Sequence, residues 1–147
     1  MAFFPSTLWV RWLQLASVVV VLFGLSLVVF QALGLRFFSL LLYQDAHHLV
    51  SATGGLVPYL KLLHAVLGAV LVGWGGAMWI FASTLFAQGK TVGWVALALP
   101  LLAWFLPDTL VSLLSGFWQN AVLNAGFAFL FTPPLAATWR LFFRQRG

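Results

Sequence analysis

The sequence predicts an all-α membrane protein, one domain of four transmembrane helices with both termini cytoplasmic and helices three and four kinked at prolines. Three observations predict it. Of the 147 residues 63% are hydrophobic and 6% charged, whereas an ordinary soluble domain carries roughly 25% charged residues. The apolar residues fall in long unbroken runs, and about 20 of them suffice to cross a bilayer core roughly 30 Å thick. The few Lys and Arg residues are distributed unevenly along the chain, which orients the spans. A soluble fold is excluded because so few charges cannot solvate its surface, and disorder is excluded because it needs low hydrophobicity. A β-barrel would show short alternating segments instead of continuous runs. With no cysteine there is no disulfide, thiolate ligand or thiol nucleophile.

The first span is expected at about 9–33, with Trp9 and Trp12 placed as interfacial anchors. It is too long for a cleaved leader, and Phe30 spoils a small-x-small cleavage site before Ala32. The second is expected at about 58–86, where Pro58 suits a first helical turn. Gln88-Gly89-Lys90 then makes a short turn. The third, about 92–114, carries Pro100 and Pro107, and the fourth, about 118–139, carries Pro133 and Pro134. An interior proline removes a backbone hydrogen bond, so these two helices should bend or end early. The connection 35–57 is the extracytoplasmic loop; its apolar part, Arg36 to Tyr43, is too short to cross and should lie in the interface.

With four spans, Arg11, Lys90, Arg140, Arg144 and Arg146 share one side against Arg36 and Lys61 on the other. Short loops rich in Lys and Arg stay cytoplasmic. This topology, with anionic lipid headgroups as partners, accounts for the net charge of +5. The basic residues are too few and scattered for nucleic-acid binding. The expected location is the bacterial inner membrane.

Span two carries Ala65, Ala69, Gly73 and Ala77 at four-residue spacing, with His64, Gly68 and Gly75 on an adjacent face. Small residues let helix backbones approach closely in lipid, so this helix should be the most enclosed.

Polar residues gather at the outer end. His64 lies about 9 Å of helix beyond Pro58, Asp108 closes span three, and Asn120 and Asn124 share a face near the start of span four. Intramembrane ionisable groups are costly and point to function. Each has a structural alternative: Asp108 capping a helix, the asparagines bonding each other, His64 bonding a carbonyl. Asp45, His47, His48 and His64 are suitable metal-ligand types, but no ligand spacing is present, and no cofactor, haem included, is expected. No phosphate loop or nucleophile motif occurs. Trp94, Trp118 and Trp139 read with Trp9 and Trp12 as an interface belt; Trp74 and Trp104 lie deeper, in core packing or lining an apolar ligand pocket.

Gly73-Trp74, Trp94, Trp104-Phe105, Asp108-Thr109, Ser112-Leu113, Gly116 and the stretch from Asn120 to Asn124 resemble a pattern in a family of small uncharacterised bacterial four-span membrane proteins. The resemblance covers about two thirds of the chain and implies the four-span architecture without an activity; Pro107 and the His47-His48 pair depart from it.

The function expected from these residues is non-enzymatic: an accessory or scaffold subunit, or a binder of lipid-like ligands, in a larger membrane assembly. Its partners would be other membrane subunits or further copies of itself. The alternative is an outer-leaflet site, for an enzyme or a metal, haem or quinone binder, built on His64, Asp108, Asn120 and Asn124.

Overall fold

The computed structural model describes residues 4–143. Arg144, Arg146 and Gly147, which bear on the expected topology, lie outside them. The described chain is helical, with helices α1 (Thr7–Val29), α2 (Gln31–Tyr43), α3 (His48–Thr53), α4 (Val57–Phe81), α5 (Thr91–Leu114) and α6 (Trp118–Phe143). A 3-10 turn, Gly54–Leu56, leads into α4, and a π turn, Ala82–Phe86, ends it. Four of these stretches are long and apolar enough to cross a membrane, those built on α1, α4, α5 and α6. The chain divides into two compact units, one of the residues up to Val18 with those from Gly76 onward, the other of Val19–Gly75.

The first unit contains an antiparallel hairpin of α5 and α6, stitched by hydrogen bonds along its length. Thr91 Oγ1 donates to Phe142 O at 3.0 Å and Trp94 Nε1 to Leu135 O at 3.0 Å. Asn124 Nδ2 reaches Thr109 Oγ1 at 3.4 Å near the other end. Lipid offers no hydrophobic drive between helices, so such bonds and close packing hold them together. Phe86, Leu97, Phe131 and Leu135 are buried in this unit, and Phe86 lies 4.9 Å from Phe142 between ring centroids. The turn joining the hairpin follows from its sequence. Gly116 takes φ +80°, a conformation costly for any residue with a Cβ. Phe117 N–H bonds Ser112 O at 2.8 Å and Gly116 N–H bonds Leu113 O at 3.1 Å. This pair satisfies carbonyls that the end of α5 would otherwise leave open.

Neither proline pair ends its helix: α5 runs through Pro100 and Pro107, and α6 through Pro133 and Pro134. The early-ending alternative is thereby set aside. A carbonyl four residues before a proline loses its donor, and a side chain elsewhere can replace it.

In the second unit, α1 and α4 cross at Gly24 and Gly68. A Cβ at Gly68 would lie 2.5 Å from Gly24 O, and one at Gly24 would lie 2.6 Å from Gly68 O. The backbones touch there, which only glycine permits. The first apolar run does not continue as one helix to residue 33. Phe30, at φ −111° and ψ 52°, separates α1 from α2. Backbone bonds from Phe30 N–H to Ser26 O and from Gly34 N–H to Phe30 O, both 2.9 Å, carry the chain across this break, and Gln31 Nε2 donates to Val28 O. Much of the 35–57 connection is therefore helical. α2 ends at Gln44, whose φ of 58° is left-handed.

The expectation that the second span is the most enclosed is not met. In its most apolar stretch 22% of the residues are buried, against 33% for α1. The reason is the direction of its small residues. Gly68 and Gly75 are buried, but Ala69 and Gly73 are exposed, and a Cβ on Gly73 would meet nothing within 4 Å.

Candidate functional site

The sequence-predicted polar residues fall into separate groups. In the first unit Asp108 and Ser112 stand one turn apart on α5, and the Gly116 turn brings the first turn of α6 beside them. Asn120 Nδ2 donates to Ser112 Oγ at 2.8 Å and to Asp108 Oδ1 at 3.2 Å. The Ser112 hydroxyl donates back to Asp108 O at 2.7 Å. Asn124, one turn further along α6 and 3% exposed, reaches Thr109 instead. Asp108 and Asn120 are thus brought into contact, and Asn124 joins through the neighbour of Asp108. Ser112, which carried no role in the sequence reading, is the link. Its spacing of four from Asp108 was the available signal.

His64 belongs to the second unit. Its Nδ1 stands 2.7 Å from Leu60 O; a carbonyl only accepts, so Nδ1 carries the proton and donates. The ring sits edge-on to Phe38 with centroids 5.4 Å apart. Gly34 leaves room for it, since a Cβ there would lie 3.4 Å from His64 Cδ2. This is the carbonyl-bonded histidine of the structural alternative, with Nε2 left for another partner.

The residues of the connecting segment are engaged locally. Asp45 Oδ1 accepts His47 N–H at 2.9 Å, and His48 stacks on Tyr43 at 4.3 Å. Buried Ser39 receives Leu49 N–H at 3.1 Å and donates to Asp45 O, binding this loop to α2. Among the described residues no group of three or more His, Asp or Glu side chains is placed to hold a metal ion. Trp74 is in the second unit and Trp104 in the first, both half-buried; Trp104 lies 6.3 Å from Phe105.

Two features escaped the sequence reading. Gln14 Nε2 donates to Ser83 Oγ at 2.9 Å, joining α1 to the π turn at the end of α4. A lone glutamine in an apolar run was visible as a signal; its partner was not, because a π turn shifts side chains out of α-helical register. The second is the use of two tryptophans expected to serve as interface anchors. Trp12 and Trp94 donate their indole N–H groups to α6 carbonyls, Leu130 O and Leu135 O. Comparison of the chain with protein-family models, curated proteins and solved structures gives no match in any of the three, and what the chain does has to be read from its own residues.

Proposed function

We propose that this chain is a non-enzymatic integral membrane protein that serves as an accessory or scaffold subunit, docking through its α4 face on another membrane-spanning chain. One observation carries the reading. The two small-residue surfaces of α4 are used differently: Gly68 is consumed by Gly24 inside the chain, while Ala69 and Gly73 stand uncovered. Close approach between helix backbones needs such a surface, and in this chain nothing has been laid over it at Gly73. The bacterial inner membrane and cytoplasmic termini belong to the same proposal, supported by the clustering of Lys and Arg residues.

The natural absence of cysteine makes the test direct. Gly73→Cys, reconstituted in nanodiscs or extracted in mild detergent, should cross-link to a neighbouring chain. Leu67→Cys, also exposed but about 120° round the helix from Gly73, should cross-link far less. The unmodified protein should migrate as a species larger than the monomer. A strictly monomeric protein in both media, with no cross-link at Gly73→Cys, overturns the proposal.

A second reading, a site built on the polar residues, is favoured by one observation, the contact of Asn120 with Asp108. His64 is not needed for it.

A further inference from the structure

We propose that α2 lies in the membrane surface as an in-plane helix whose Arg36 binds the phosphate of an anionic phospholipid, in the leaflet opposite the termini. Depth is the first observation. α1 by itself covers about 35 Å, enough for a hydrocarbon core roughly 30 Å thick. On α4, His64 stands about 33 Å of helix from Phe86, so it marks the far boundary of that core. α2 sits at this level, because Phe38 meets the His64 ring and Gly34 leaves the space beside it. At about 20 Å it is too short to cross, and the non-helical backbone of Phe30 separates it from α1. If it ran straight on from α1, the exposed side chains of Leu33, Phe37 and Leu40 would stand in water.

The exposed surface of α2 has two edges. Gly34, Leu35 and Ser39 are buried. On the opposite side Leu33, Phe37 and Leu40 are exposed within about 60° of one another. Arg36 and Tyr43, also exposed, lie within about 20° of each other and about 100° or more round from Phe37. An apolar edge beside a polar one is what a helix at the lipid–water boundary requires. Tyr43 suits the polar edge, as an amphipathic ring at headgroup level. The helix is also fixed in place: Ser39 accepts Leu49 N–H and donates to Asp45 O.

Arg36 identifies the occupant. It forms no ion pair among the described residues. The chain has two acidic side chains; Asp45 accepts His47 N–H within its own loop, and Asp108 belongs to the other compact unit. A guanidinium flanking an apolar edge therefore takes its anion from the membrane interface. Phosphate lies at that level, and its oxygens match the donor fork of arginine. A phospholipid satisfies both edges at once, its acyl chains covering Leu33, Phe37 and Leu40, which free phosphate does not. The inference does not depend on the subunit proposal, which concerns α4.

Two measurements on the full chain test it. Spin labels on Phe37→Cys and Ala32→Cys, both exposed and about 140° apart on α2, report depth in nanodiscs. The Phe37→Cys label should meet oxygen and be shielded from an aqueous nickel chelate, and the Ala32→Cys label should show the reverse. Equal exposure of both labels to the chelate overturns the in-plane helix. In detergent, fluorescent phosphatidylglycerol should bind saturably and more tightly than phosphatidylcholine. Arg36→Gln should raise its half-saturating concentration about fivefold, while Lys90→Gln, the same charge change at the other end of the spans, should leave it unchanged. An equal loss in both variants, or displacement of the lipid by inorganic phosphate at constant ionic strength, overturns the phospholipid site.

Discussion

The indole of Trp12 does for α6 what Pro134 prevents its own backbone from doing. Pro134 has no N–H, so the carbonyl of Leu130, four residues earlier, is left without its helical donor. Trp12 Nε1 donates to that same oxygen at 2.8 Å. Pro134 is itself fully buried, so the proline stays in the packed interior of α6 and a side chain from α1 completes the ladder. In lipid an unsatisfied backbone group is costly, and replacement donors are what make transmembrane prolines tolerable.

A double substitution follows from this pairing. Trp12→Phe keeps most of the ring but removes the donor, and should destabilise the protein by about 1–2 kcal/mol. Pro134→Ala restores a backbone N–H to Leu130 O, so Trp12→Phe should cost less than half as much in that background. Unfolding by SDS titration measures both. An identical cost with and without Pro134 would show that the two residues do not act on one carbonyl.

The two glycine environments on α4 should respond differently to one added methyl group. Gly68→Ala would drive a Cβ to 2.5 Å from Gly24 O, a backbone atom that cannot step aside, and should cost about 1–3 kcal/mol as overpacked substitutions do. Gly73→Ala meets open space and should leave the stability of the isolated chain within about 0.5 kcal/mol. Thermal unfolding of the two variants side by side decides it.

Gln14 and Ser83 should show energetic coupling. Gln14→Leu removes the donor to a part-buried hydroxyl, and Ser83→Ala removes the acceptor. The double variant should be more stable than the sum of the two single losses implies, by about 0.5–1 kcal/mol. Strict additivity in SDS titration would mean that the bond holds α1 to the π turn with no net energy.

Topology is checked by thiol accessibility on the cysteine-free chain. Ser51→Cys should react with a membrane-impermeant reagent added outside cells. Gly147→Cys should react only after the membrane is opened. Labelling of both from one side would refute cytoplasmic termini.

Which parts of this protein were legible in the sequence follows from the range of the forces involved. The four long apolar helices are a one-dimensional property, since the bilayer demands about 20 apolar residues wherever the chain crosses it. The helix starts at Thr91 and Trp118 lie within a residue of the expected positions, because Lys90 and Gly116 mark the turns locally. The shared face of Asn120 and Asn124 was equally local, fixed by helical periodicity.

Contacts between helices were decided by tertiary structure alone. Two faces of α4 carry small residues, and periodicity cannot say which meets a neighbour. The answer was Gly68, which meets the backbone of Gly24, while Ala69 and Gly73 of the more regular stripe are left uncovered. Asn120 meets Asp108 and Asn124 meets Thr109 because the left-handed Gly116 sets how far α6 returns along α5. Trp12 and Trp94 carry the composition of interface anchors, yet their N–H groups are spent on α6 carbonyls. Composition determined that this chain belongs in a membrane, since hydrophobicity sums along the sequence. Which polar atoms are satisfied and which remain open was decided by packing, since a hydrogen bond depends on two side chains meeting within about 3 Å.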